Sequence, residues 1–405
     1  MKKLFILLPI AALMFASCSN DEQVSAPSVQ NVPEGAIWFS SGLKDMTRSA
    51  TTMENFRAFN VSAVHDDAQY AFNDLAVTSS DGMLWTYNTG DNENPYKYWP
   101  ADNSQLKFFA YAPATLQNKM AIVTSSQQMN AFQQVQHVAD HVDVLAAFAK
   151  GSKAANASSG VTLDFKHALA QIEVRCKNSK PSDFKVEVLG VKLCRIGDTG
   201  DMTFQTAADG YPAWSAISGS QSFIKKGTGA VNAIEMTVQP QNIMFGADNF
   251  LMLPQQLTAW AGSGTDTQGA YLSVLCRIYH KVNDEWVQKY PNTADKFGFT
   301  AVPISTNWAP GHRYVYTLDF YGAGGGAGQV DPDPENPENR PTHPGDPGYD
   351  PDNPGGDPDV NPIPDDGEPG DPVAPDPNAS KVGIMFTVSI TDWINGQSDN
   401  ETLDF

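Results

Sequence analysis

The sequence predicts an all-β chain: two β-sandwiches, then an unfolded tether, then one last strand. Three observations lead there. Short runs rich in β-branched and aromatic residues recur along residues 36–320, separated by Gly, Pro, Asn and Asp. That punctuation marks turns between short strands, and no alternation of strands with helical repeats suggests a parallel α/β sheet. From Asp331 to Pro377, 15 of 47 residues are proline. The last 25 residues return to strand-like alternation.

The first strand is expected at Ile37-Trp38-Phe39, after a linker over residues 24–34. Strands are then expected at 56–64, 83–87 and 106–111, with Asp81-Gly82 and Pro95 as turn residues. Residues 143–149 fit a strand or a helix. Gly151 to Gly160 is small and polar, and is the expected junction between the sandwiches. A second set is expected at 161–165, 170–176, 184–188, 191–193, 250–254, 271–279 and 313–320.

Gly322 to Gly328 opens the tether. The Asp331–Pro377 run holds 14 acidic residues against a single arginine, a net of −13 within the −20 of the whole chain. Such a composition cannot bury enough apolar surface to fold, and stays extended, partly as polyproline II. At ~3.1 Å per residue it reaches on the order of 145 Å. The remaining −7 is unremarkable, and the overall acidity argues against nucleic acid as a partner.

Val382, Ile384, Phe386, Val388 and Ile390 alternate with smaller or polar residues, which places all five on one face of a strand. A sticky strand on a long arm is an aggregation hazard unless a groove is assigned to it. The other end of the chain suggests one. Ile37 and Phe39 share the spacing of Ile384 and Phe386, with Trp38 and Met385 on the opposite face. The tail could occupy the slot of the first strand, in this molecule or in a neighbour.

Residues 1–17 read as a leader: Lys2 and Lys3, then an apolar run to Ala16 too short to span a bilayer as a mature helix. Ala16-Ser17-Cys18 is similar to a bacterial lipobox, with cleavage before Cys18 and lipid on its thiol. The other cysteines are Cys176, Cys194 and Cys276, an odd number with no complete disulfide framework. Cys176 and Cys276 share parity with apolar strand neighbours and read as buried thiols. A Cys176–Cys194 bridge stays open.

Catalytic chemistry is not legible. His137 and His141 are four apart but lack a third ligand, and read as polar surface residues rather than a metal site. The acidic Pro-rich run lacks the glycine and terminal glutamate of a calcium loop. The Gly322–Gly328 run lacks the lysine and helix of a phosphate loop. No nucleophile elbow or other catalytic set is present, so neither an enzyme nor a cofactor is expected. Arg48 stands apart. Asp45 to Ala50 is polar and small, and a trypsin-like protease needs an Arg in such an accessible loop.

Together these residues resemble the fimbrillin-like family of Bacteroidales surface proteins, the type V pilins. The resemblance runs over roughly 36–320. It is carried by Cys18, Ile37-Trp38-Phe39, Thr47-Arg48, Tyr98-Trp99-Pro100, Phe108 to Pro113, Phe165 to Ala170, Leu251 to Gln255 and Trp308 to Tyr316. It implies two transthyretin-like Greek-key β-sandwich domains and export as a lipoprotein to the cell outer membrane. It also implies cleavage by an Arg-specific surface protease between Arg48 and Ser49. The first strand, with Ile37 and Phe39, is then displaced, and the C-terminal donor strand of another fimbrial subunit fills the groove. The long acidic tether departs from what the resemblance implies for a shaft subunit.

The expected organisation is a leader at 1–17, a propeptide with the first strand at 18–48, and sandwiches at 49–157 and 158–320. The tether follows at 321–380 and the donor-strand segment at 381–405. The expected function is that of a structural fimbrial subunit supporting adhesion to a host or bacterial receptor. The alternative is a monomeric surface lipoprotein that binds glycan or host protein.

Overall fold

The computed structural model describes residues 32–42, 55–67, 69–118, 121–123, 127–262, 267–291, 293–323, 327–331, 384–393 and 401–403. Cys18, Arg48, Ser49, Val382 and residues 332–383 lie outside the described residues. The fold is all-β with several packed sheets.

The first ten strands are β1 (Phe39–Gly42), β2 (Ala58–Val64), β3 (Tyr70–Ser79), β4 (Trp85–Tyr87), β5 (Leu106–Ala112), β6 (Ala121–Val123), β7 (Gln128–Gln133), β8 (Leu145–Gly151), β9 (Val161–Asp164) and β10 (Lys166–His167). One sheet has the order β10-β8-β5-β2-β3-β4, and β1 pairs in parallel with β9 across from it. Between them lies a first core built on Ile37, Phe39, Phe56, Phe59, Phe108, Val161, Leu163 and Phe165. Of residues 143–149, ambiguous by pattern, 145–149 fall in β8, which is buried on both faces there.

The later strands are β11 (Ala170–Asn178), β12 (Phe184–Ile196), β13 (Thr199–Thr203), β14 (Ala213–Ser218), β15 (Gln221–Lys226), β16 (Ile234–Glu235), β17 (Gln241–Asn242), β18 (Phe250–Met252), β19 (Tyr271–Val282), β20 (Glu285–Tyr290), β21 (Gly298–Pro303), β22 (His312–Phe320), β23 (Gln329–Val330), β24 (Met385–Asp392) and β25 (Glu401–Leu403). The sheet β17-β11-β22-β24-β25 faces the sheet β15-β12-β19-β21-β23 over a second, larger core. The strands expected at 184–188 and 191–193 are one strand, β12. A bulge between Val188 and Gly190 shifts its register on β19, and this local extra residue hid the continuity.

Three expected boundaries move. Residues 161–167, assigned to the second sandwich, lie with the first core, because Val161, Leu163 and Phe165 pack beside Phe39 and Phe59. β6 and β7, assigned to the first sandwich, join β13 and β14 in a four-stranded sheet. The tether does not begin at 321. Tyr321, Ala327 and Asp331 are buried, and β23 pairs with β21. Asp331 accepts hydrogen bonds from the Tyr271 and Ser273 hydroxyls and lies 2.9 Å from the Lys192 ammonium. A carboxylate that finds two hydroxyls and a cation can be buried, which composition alone could not reveal.

A third cluster joins the two cores. Phe109 and Tyr111 of β5 point away from the first core and meet Phe132, Met202, Phe204, Leu251 and Leu253.

Candidate functional site

The tail strand and the first strand are the candidate working parts, and the structure places them apart. β24 adds to the second core at β22, antiparallel, with Tyr314 opposite Ile390, Tyr316 opposite Val388 and Leu318 opposite Phe386. It is not in the slot of the first strand, because β1 holds that slot itself.

Alternation along the tail is plain. Ile384 and Val388 are buried in the second core, and Phe386 and Ile390 pack against it half-buried. Met385 and Thr387 are exposed. The Phe386 ring centroid lies 6.2 Å from that of Tyr316. Gly328 makes room for the strand's entry, since a Cβ there would lie 3.0 Å from the Ile384 side chain. Beyond the strand, the Trp393 N–H donates to the Gly311 carbonyl at 2.7 Å. Its indole enters the joining cluster. There it stacks on His167, whose Nδ1 lies 2.8 Å from Asp143.

The first strand sits deeper. Ile37 is 0 % exposed and Phe39 2 %. Phe39 meets the rings of Phe59, Tyr87 and Phe108 edge-on at 6.0–6.2 Å. The Ile37 N–H donates to Lys97 O, and Ile37 O accepts from the Tyr87 hydroxyl at 2.6 Å. The ladder to β9 covers four residue pairs, Phe39 with Val161 through Gly42 with Asp164. Regular strand begins at Phe39 rather than Ile37, with an isolated bridge from Ala36 to Tyr98 before it. Trp38, expected on the outward face, is also buried. It lies over Gly160, where a Cβ would come within 2.6 Å of the indole and where φ is +74°. A residue without a side chain is required there on both counts.

The remaining candidates fall as follows. Cys176, Cys194 and Cys276 are free and buried, so no bridge joins Cys176 to Cys194. Burial raises all three thiols, the last two to about 12. His137 is exposed beside Asp140, but His141 is buried rather than on the surface. Its Nδ1 accepts from the Leu251 N–H at 3.1 Å, a long-range contact that spacing could not signal. Among the described residues no group of three His, Cys, Asp or Glu is placed to hold a metal.

A protein-family model described as fimbrillin-like matches residues 47–331. The chain belongs to the fimbrillin-like family. The matched span contains neither β1 nor β24. Among solved structures, a fimbrial protein from Bacteroides vulgatus is 15% identical, with 70% of this chain and 94% of that chain covered at a TM-score of 0.49. A candidate cell adhesion protein from Bacteroides uniformis is also 15% identical, covering 71% and 93% at 0.39. One from Parabacteroides distasonis is 8% identical, covering 71% and 89% at 0.43. No curated protein matches the chain. Membership of the fimbrillin-like family supports a fimbrial or adhesion role at the cell surface, structural rather than catalytic.

Proposed function

We propose that this fimbrillin-like chain is a fimbrial subunit assembled by protease-triggered strand exchange. The leader delivers it as a lipoprotein anchored through Cys18 to the outer membrane. An Arg-specific protease cuts between Arg48 and Ser49. That frees the segment carrying Ile37 and Phe39 and opens the groove beside β9. The tail of a second copy, with Val382, Ile384, Phe386, Val388 and Ile390, enters that groove. Such a joint is head-to-tail, so it builds an open filament.

The carrying observation is the difference in depth between the two seats. In its own molecule the tail leaves Phe386 half-buried, whereas Phe39 is 2 % exposed in the first-strand slot. Ile384 and Phe386 repeat the spacing of Ile37 and Phe39. Each further Å2 of apolar surface buried is worth about 25 cal/mol, so the deeper slot favours exchange once it is vacant. An empty slot also leaves the β9 edge unpaired, which is costly.

A second reading rests on the tail's place in its own fold. With β24 on β22 and Trp393 between the cores, the chain could act as a closed monomeric surface adhesin. The mass of the surface-purified protein separates the two. Exchange predicts a mature N-terminus at Ser49 and high-mass ladders. A monomer that still begins at Cys18 would leave the second reading standing alone.

A further inference from the structure

Trp38 marks a part of the first-strand slot that alternation does not predict. Parity sends Ile37 and Phe39 into the core and should send Trp38 to solvent. It is 3 % exposed instead. Its indole lies against Gly160, and its Nε1–H donates to the Ala157 carbonyl at 3.4 Å. The Trp38 carbonyl accepts from the Val161 N–H at 2.9 Å, just ahead of the ladder to β9. The slot therefore buries both faces of its occupant at this position.

The bay that receives the indole is built without help from the strand. Asn156 pins the turn over residues 152–160. Its Oδ1 accepts from the Ser152 N–H at 3.2 Å, and its Nδ2 donates to the Gly160 carbonyl at 2.8 Å. Its own carbonyl accepts from the Gly160 N–H at 2.9 Å. None of these three bonds involves residues 36–42, so they stay in place when the first strand leaves.

The tail carries a counterpart for this bay. With Ile384 set on Ile37 and Phe386 on Phe39, Met385 falls at the position of Trp38. On β22 Met385 is 43 % exposed, and it is the one exposed apolar side chain of β24. Methionine is unbranched and flexible, and fills irregular gaps. The next outward position agrees. Thr387 falls at Ser40, whose hydroxyl lies 3.0 Å from that of its ladder partner Thr162. A threonine there keeps a hydroxyl in place.

We propose that the bay at Ala157 and Gly160 is a specificity subsite for the incoming tail, taking Met385 where the first strand places Trp38. This subsite presupposes the strand exchange proposed above. It makes the outward face of the tail selective as well as the core face. It also ranks the two occupants. The indole brings more apolar surface and a hydrogen bond that the thioether lacks, so at this position the chain's own first strand is the tighter fit until it is cut away.

The test cuts the full chain after Arg48 and titrates it with a synthetic peptide of residues 382–393. Release of the first-strand fragment is followed by size exclusion and mass spectrometry. A peptide seated in the slot displaces that fragment, and one seated on β22 does not. Met385→Ala in the peptide should raise the half-release concentration about tenfold, and Met385→Trp should lower it about tenfold. Equal midpoints for the native peptide and both variants would overturn the subsite and leave strand exchange standing. Failure of the native peptide to release any fragment would sink both.

Discussion

The Trp393 indole lies flat on the His167 imidazole, with ring centroids 3.7 Å apart and planes 7° apart. Trp393 directly follows β24, and His167 belongs to β10 on the edge of the first sheet. The tail therefore fastens to both halves of the molecule, by strand pairing at β22 and by stacking at Trp393.

Trp393→Ala should loosen the tail. Truncating a buried Trp typically costs about 3–5 kcal/mol. Amide exchange over 385–392 should accelerate at least tenfold, while exchange in β2 and β19 changes little. Uniform acceleration across the whole chain would show that Trp393 supports the global fold rather than the tail.

Parity along β24 gives the sharpest test of the proposed exchange. Val388 is 0 % exposed and Thr387 is exposed. A buried carboxylate with no partner costs several kcal/mol, whereas an exposed one is nearly neutral. Val388→Asp should release the tail and block ladder formation by protease-treated subunits, and Thr387→Asp should do neither. Equal damage from both would show that the tail does not act through one face.

Limited trypsin treatment should cut first after Arg48. Mass spectrometry of the product should give a chain beginning at Ser49, with the β1 fragment still bound through Ile37 and Phe39. Phe39→Ala, which removes three edge-on aromatic contacts, should release that fragment at least tenfold faster. Preferred cutting elsewhere, or a release rate untouched by Phe39→Ala, would argue against a strand held by its side chains.

The Lys192–Asp331 pair is buried to within 1 % on both sides. Breaking a buried pair by removing one partner costs about 3–5 kcal/mol, because the other charge is stranded. Asp331→Leu should destabilise the second sandwich by that amount in urea. Adding Lys192→Met should recover more than half of it. Simple additivity of the two losses would mean that the charges do not interact.

Burial, helped by the charge of Lys225, pulls the His141 imidazole down from 6.5 to about 3. The unfolded chain thus binds a proton between these values that the folded chain refuses. The stability this residue contributes is fully present above about pH 6.5. It is lost as pH falls toward 3, at up to about 1.4 kcal/mol per pH unit. Urea midpoints from pH 7 to 5 should fall in the native protein and fall less steeply in His141→Gln. Parallel slopes would place the proton uptake elsewhere.

Local pattern was enough wherever one strand carries its own signal. Residues 106–112, 170–178, 271–282 and 312–320 are apolar runs bounded by turn residues, and they are strands. β3 was missed because only Phe72, Leu75, Val77 and Ser79 of its ten residues are buried, and it twice departs from register on β2. β13 and β14 were missed because a small outer sheet needs little apolar surface of its own. Phe108 and Phe109 show the limit of the pattern. Adjacent in sequence, they face opposite sides of β5 and belong to different clusters.

The sequence by itself determined the all-β class, the family, and the alternating face of the tail from Ile384 to Ile390. Each follows from residue order over a few positions, where the two-residue period of a strand decides which side chains share a face. Only the tertiary structure decided where that face goes. Pairing partners are chosen by long-range contacts that no short window contains, and three such contacts set the outcome. β22 offers β24 an open edge. Asp331 is drawn into the core by Lys192, Tyr271 and Ser273. His141, which spacing alone placed at the surface, is buried by a backbone N–H 110 residues away.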